Sequence, residues 1–135
     1  MRRLSLVLFL FIAILALAAA GCGDDDESEE ESATPAEAVA EIDEIKRMLA
    51  TAVDQVRSGD ADAAEKTVGD AYLEHFEKVE GPLGEEDHDL MEELEEAVST
   101  DLRNDIKDGK SAEEIDAAVA DIETNLDRAV VLLQD

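Results

Sequence analysis

The sequence predicts an all-α protein, an antiparallel up-down four-helix bundle that follows a signal peptide and an acidic, disordered tether. Apolar residues recur at intervals of three and four through four segments of roughly 20 residues each. Short polar connections separate these segments, which is typical of antiparallel bundles. No segment alternates apolar and polar residues, so no strand is expected. One modest core fits the length that remains for the bundle, 34–135.

The first helix is predicted over 35–57. Thr34 and Glu37 form a capping box, and Pro35 takes the first helical position. Gly59 marks the end of this helix. Its apolar face contains Ile42, Ile45, Leu49, Ala52 and Val56.

The second helix is predicted over 61–80, with Asp60 or Asp62 as its N-cap. Gly81 and Pro82 are expected to end it, because proline lacks an N–H donor and disfavours helix at the preceding residue. Its inner face is predicted to contain Ala64, Val68, Ala71, Tyr72, His75, Phe76 and Val79.

The third and fourth helices are predicted over 88–108 and 112–133. Gly109 is a C-terminal cap, and Ser111 with Glu114 forms a second capping box. The inner face of the third helix is predicted to contain Leu90, Met91, Leu94, Val98, Leu102 and Ile106. The inner face of the fourth helix is predicted to contain Ile115, Val119, Ile122, Leu126, Ala129, Val130 and Leu133.

The N-terminal 1–21 has the three parts of a signal peptide: a basic head, an apolar run and small residues before Cys22. The sequence 19–22, Ala-Ala-Gly-Cys, resembles a bacterial lipoprotein box, in which the cysteine is lipidated. The alternative is an uncleaved N-terminal anchor, although the run is short for a membrane span. Both alternatives place the domain outside the cytoplasm and tether it to the membrane.

The tether, 22–33, is acidic and almost free of apolar residues, so it is expected to stay solvated. Cys22 is the only cysteine. An intrachain disulfide, a cysteine nucleophile in the domain and a cysteine-containing zinc site are therefore excluded.

The chain has 37 acidic and 11 basic residues, for a net charge of −26. Such a field repels nucleic acid and anionic lipid and concentrates cations. Salt adaptation or solubility explains the same composition, so acidity alone identifies no ligand.

Candidate functional residues concentrate in 70–84, which contains the only Tyr. On a helix, Tyr72 and His75 share one face, and Glu77 and Glu80 lie beside it at a spacing of three. Glu95, on the inner stripe of the third helix, requires a partner if it is buried. Its candidate partners are Arg103, Tyr72, His75 and a cation shared with Glu80.

Two interpretations of these residues remain open. In the first, a buried polar cluster fixes the helix register; its members would be Tyr72, His75, Glu80, Glu95 and Arg103. In the second, a cation binds to oxygen and imidazole ligands drawn from Glu77, Glu80, Glu95 and His75. A third group, the acidic turn 85–89, is either a solvated loop or a loose cation site.

The segments 71–83 (AYLEHFEKVEGPL) and 89–109 (DLMEELEEAVSTDLRNDIKDG) resemble the extracytoplasmic N-terminal domain of bacterial high-affinity iron permeases of the Ftr/Efe type. The matching positions are Tyr72, Phe76, Glu77, Glu80, Leu83, Asp87 or Asp89, Glu95 and Arg103. The resemblance extends over about 40–133. It implies a membrane-tethered accessory domain at an iron uptake system, either binding iron weakly or docking on a permease.

This chain departs from the permeases in one decisive respect. The permease itself is a bundle of membrane helices with Arg-Glu-x-x-Glu motifs, and this sequence contains neither. The chain is therefore not the transporter. It also lacks a nucleophile elbow, a His-Glu-x-x-His motif and a phosphate loop, so we expect no enzyme. The alternative function is a helical envelope lipoprotein that binds another protein and no metal.

Overall fold

The computed structural model describes residues 33–135, and in this range the protein is all-α, with four helices and no strand. The signal peptide predicted over 1–21, the lipidation site Cys22 and all but the last residue of the tether lie outside the described residues. Within 33–135, no helix combines the length and the apolar character needed to cross a bilayer.

Helix α1 is Pro35–Arg57 and helix α4 is Ala112–Gln134. Helix α2 runs over 61–86, and its middle turn, Ala71–Phe76, is π-helical. Helix α3 runs over 88–107, with a second π-helical turn at Ala97–Asp101.

The predicted helix starts are confirmed by their caps. Thr34 and Glu37 form a complete capping box, and so do Ser111 and Glu114. The Asp60 side chain accepts a hydrogen bond from the Ala63 N–H, at 3.1 Å. Because each cap satisfies backbone donors that the helix leaves free, the sequence defines these starts locally.

The predicted end of the second helix at residue 80 is wrong. Helix α2 continues through Pro82 to Glu86, and Asp87 then separates it from α3. Pro82 and Leu83 are both buried. Burial of these apolar side chains favours another helical turn, although proline removes one backbone hydrogen bond.

The core is apolar throughout, and all four helices contribute to it. Phe76 is its largest fully buried side chain. No charged or polar residue of the described part is fully buried. Helix α1 packs against α2 and α4, α2 packs against α3, and α3 packs against α4. Polar side chains therefore meet along the edges between neighbouring helices, where they are half-buried.

Candidate functional site

Three polar groups lie along helix α2, and each joins it to a neighbouring helix. The first contains Tyr72, Glu80 and Glu95, at the contact with α3. The second joins α2 to α1, and the third joins α2 to α3 near the other end of the described bundle. We call the first group the tyrosine–carboxylate site.

In the tyrosine–carboxylate site, the Tyr72 hydroxyl donates a long hydrogen bond to Oε1 of Glu95, at 3.4 Å. The Tyr72 ring stacks on Phe76, with centroids 6.0 Å apart. This contact with a fully buried ring fixes the tyrosine at the edge of the core. Glu80 lies eight residues after Tyr72 on α2, about two turns further along, and its Oε1 atom is shielded from solvent without a hydrogen-bond partner.

The electrostatics of this site are unusual for a protein surface. Burial, with the charges of Glu80 and Glu95, raises the pKa of Tyr72 to about 12. Burial also raises the pKa of Glu80; the Tyr72 hydroxyl opposes this effect, and the charges of Glu95 and Glu77 add to it. Every charge that shifts these two groups is negative. The site therefore favours a proton or another positive charge.

The second group places His75 away from the tyrosine–carboxylate site. His75 Nδ1 lies 2.5 Å from Oε2 of Glu41 on α1, and Lys78 Nζ lies 2.9 Å from the other oxygen of Glu41. Hydrogen bonding to His75, followed by that to Lys78, lowers the pKa of Glu41. The interpretation that placed His75 in one cluster with Glu80 and Glu95 is therefore not the arrangement observed.

The third group contains Arg103, which was a candidate partner of Glu95. Its guanidinium instead binds Glu65, with Nε 2.9 Å from Oε1, and Lys107 Nζ lies 3.1 Å from the same oxygen. The guanidinium passes over Gly69, whose missing Cβ would lie 3.7 Å from it. Gly69 thus lies beneath an ion pair that joins α2 to α3.

Neither Glu77 nor the acidic turn adds a further ligand to the tyrosine–carboxylate site. The Glu77 side chain is exposed. Asp87 accepts a hydrogen bond from the Leu90 N–H and caps α3, while His88 pairs with Glu92 on the surface, at 3.3 Å. Among residues 33–135, no three His, Cys, Asp or Glu side chains are grouped so as to hold a metal ion.

The tyrosine–carboxylate site therefore has two carboxylates and one phenol, all of them oxygen donors. Hard cations prefer such donors, and three of them leave most of a cation's coordination positions for other ligands. The donor set fits a loosely held cation and does not form a closed metal centre. Imidazole, which the sequence suggested as a ligand, belongs to the Glu41 group.

The π-helical turns and the partners Glu41 and Glu65 were missed in the sequence. A signal for the turns exists: the buried residues Ala71 and Phe76 are five apart, a spacing that a regular α-helix does not place on one face. The partners carry no comparable signal, because they lie 34 and 38 residues from His75 and Arg103.

No protein family model matches the chain, and no curated protein or solved structure is significantly similar to it. The resemblance to iron-permease domains accordingly stays a prediction from the residues quoted above.

Proposed function

We propose that the chain is a membrane-tethered, extracytoplasmic accessory domain of an iron uptake system that holds iron weakly at the tyrosine–carboxylate site. The observation that carries this proposal is the half-buried Glu80 carboxylate, whose Oε1 has no partner and which interacts with the Tyr72 hydroxyl and the Glu95 charge. The signal-peptide pattern and Cys22 support the extracytoplasmic, membrane-tethered location. The resemblance to iron-permease domains supports the link to iron uptake.

We also propose that the four helices form an antiparallel up-down bundle. Neighbouring helices are joined by only three, one and four residues, which favours antiparallel neighbours. Contacts between α1 and α4 close the ring. The ion pairs of α1 agree with this topology, because Glu41 meets Lys78 of α2 and Lys46 meets Asp127 of α4.

Weak cation binding follows from the charges at the site. Two carboxylates face one phenol, and no positive side chain shifts the pKa of Glu80 or Tyr72. A half-buried carboxylate oxygen without a partner is costly, and a bound cation would supply the missing partner for Oε1 of Glu80. With only three protein donors, the cation would keep small ligands of its own and could pass to another protein.

The experiment uses Tyr72 as a built-in detector. It is the only tyrosine, and the chain has no tryptophan. Energy transfer from an excited tyrosine to bound Tb(III), a trivalent ion that prefers oxygen ligands, occurs only at short range. We would titrate the full chain with Tb(III) at about 150 mM salt, where diffuse attraction to the acidic surface is largely screened.

The matched variants are Glu80→Gln and Glu113→Gln, which remove the same charge at the site and from the exposed first turn of α4. We expect saturable, tyrosine-sensitised emission from the wild type and from Glu113→Gln, at least tenfold weaker affinity in Glu80→Gln, and displacement of Tb(III) by Fe(III)-citrate. Absent emission, or equal emission from all three proteins, would overturn the cation proposal.

A second candidate function, docking on a membrane protein without metal, is favoured by Leu73. This side chain is 60% exposed and lies in the turn that presents Tyr72. In this proposal a partner would cover the Leu73 side chain beside Tyr72 and remove it from water. We would test whether an iron permease co-purifies with the wild type. Loss of co-purification in Leu73→Ser, but not in Val131→Ser, would support docking. Val131→Ser is the control because it removes an equally exposed apolar residue on α4.

A further inference from the structure

The buried residues of α1 and α4 repeat with the spacing of a regular packed helix. Their intervals alternate between four and three over most of each helix, so the buried face stays in line. In α1 these residues are Ala38, Ile42, Ile45, Leu49 and Ala52, with Val53 buried beside Ala52; in α4 they are Ile115, Val119, Ile122, Leu126, Ala129 and Leu133.

Helices α2 and α3 depart from this spacing. In α2 the buried residues before and after the π-helical turn keep intervals of three and four, but Ala71 and Phe76 are five apart. In α3 the interval is four each time, through Leu90, Leu94, Val98, Leu102 and Ile106.

A regular α-helix could not keep the buried residues of α2, or those of α3, in line on one face. At about 100° per residue, an interval of five would turn Phe76 about 140° away from the face of Ala71. Four successive intervals of four would turn Ile106 about 160° from Leu90 by the same geometry. One wider π-helical turn accommodates one extra residue, and each helix has its π-helical turn where this correction is needed.

The two wide turns lie at the same level of the molecule. Ala71–Phe76 contacts Ala97–Asp101 across the α2–α3 interface. The first turn contains Tyr72, and the second begins two residues after Glu95, which accepts the Tyr72 hydrogen bond. Two rare backbone features therefore flank one hydrogen bond.

We infer that the two π-helical turns are matched one-residue insertions that position Tyr72 against Glu95 and Glu80. Single-turn π segments inside α-helices occur often at functional sites. Without the insertion in α2, Tyr72 would be three residues from Phe76 instead of four, which would change how its ring stacks on Phe76 and how its hydroxyl meets Glu95 on α3. The insertions are thus positioning elements; only their link to a bound cation rests on the proposed function.

Deleting Leu73 tests this inference directly. The deletion removes one exposed residue from the wide turn and changes the interval between Ala71 and Phe76 from five to four. A regular α-helix can then bury both Ala71 and Phe76 on one face. The matched control deletes Ala50, an exposed residue of α1. That deletion shortens the regular interval between Leu49 and Ala52 and rotates the rest of α1 out of the core.

We would measure thermal unfolding by far-ultraviolet circular dichroism and the environment of the Tyr72 ring by near-ultraviolet circular dichroism, both on the full chain. We expect the Leu73 deletion to unfold cooperatively at or above the wild-type midpoint, and the Ala50 deletion to lose its cooperative transition. In the Leu73 deletion, the near-ultraviolet signal of Tyr72 is expected to differ from that of the wild type, because the ring changes its position against Phe76 and Glu95.

Two results would overturn the inference. If the Leu73 deletion unfolds the protein as the Ala50 deletion does, the π-helical turn is not an insertion into a regular helix. If the Leu73 deletion folds and its near-ultraviolet Tyr72 signal equals that of the wild type, the turn does not position the tyrosine. Neither readout uses a metal ion. A failed Tb(III) titration of the wild type would therefore reject the cation proposal without bearing on the inference about the π-helical turns.

Discussion

His75 Nδ1 lies 2.5 Å from Oε2 of Glu41, and this contact joins the middle of α2 to the first half of α1. Both side chains are about one-fifth exposed, at 19% and 22%. Lys78 occupies the second oxygen of the carboxylate. Glu41 therefore has two partners from one neighbouring helix, and these partners lower its pKa.

Glu41→Gln is expected to lower the free energy of unfolding by about 1.5 kcal/mol at neutral pH, the lower end of the range for a hydrogen bond to a charged group, because Glu41 is partly exposed. The pKa of Glu41 is lower in the folded state than its ordinary 4.5. Its contribution is therefore present above pH 4.5 and is lost as the pH falls through the lowered folded-state pKa. Urea unfolding at a series of pH values measures the difference between the two proteins.

The control for this prediction is Glu44→Gln, since Glu44 pairs only with Arg47 of its own helix. A surface pair of this kind contributes little, so we expect a change within about 0.5 kcal/mol. A Glu41→Gln effect of the same size at every pH would contradict the assignment.

Glu80→Gln is expected to stabilise the protein at neutral pH by about 1 kcal/mol, because it removes a half-buried charge that has a solvent-shielded oxygen without a partner and lies near the charges of Glu95 and Glu77. The folded-state pKa of Glu80 is raised, so ionised Glu80 favours unfolding. This cost is absent below pH 4.5, grows as the pH rises through the folded-state pKa and is constant above it. The gain in the variant should follow the same profile in thermal unfolding.

Glu77→Gln provides the comparison, because Glu77 carries the same charge on the exposed side of the same helix. Its effect should stay within about 0.5 kcal/mol. Destabilisation by Glu80→Gln at neutral pH would show that the Glu80 carboxylate has a partner in the folded protein.

Gly69→Ala is expected to raise the free energy of unfolding by about 0.5–1 kcal/mol, since alanine is the better helix former. The new Cβ would meet the Arg103 guanidinium at 3.7 Å, an ordinary contact. The matched variant is Gly59→Ala at the end of α1, where φ is +85°. There we expect a loss of about 1 kcal/mol, because a side chain disfavours this conformation. Equal effects of the two substitutions in urea unfolding would refute this account.

Ser111→Ala is expected to cost about 1 kcal/mol in urea unfolding, because it removes the side-chain acceptor of the α4 capping box. Ser111→Asp retains an oxygen at the same position and should recover most of the loss. If the aspartate variant is as unstable as the alanine variant, the cap is not the source of the effect.

The sequence was a good guide to the helices and a poor one to the polar contacts. Capping boxes at Thr34 and Ser111 and the spacing of apolar residues predict four helices, because both signals are local in the chain. Pro82 misled the prediction, since burial of its ring and of Leu83 outweighs one lost hydrogen bond. His75 and Arg103 were assigned to the site of Glu95, although their partners Glu41 and Glu65 lie on other helices.

By itself, the sequence determined the all-α character of the described residues and the starts of the helices, because helix propensity and capping act over a few residues. Only the tertiary structure decided which charges meet. The rotation of each helix about its axis is set by burial of the whole core, and the wide turns of α2 and α3 shift that rotation by one residue. The same shift brings Tyr72 to Glu95, while His75 and Arg103 pair with Glu41 and Glu65.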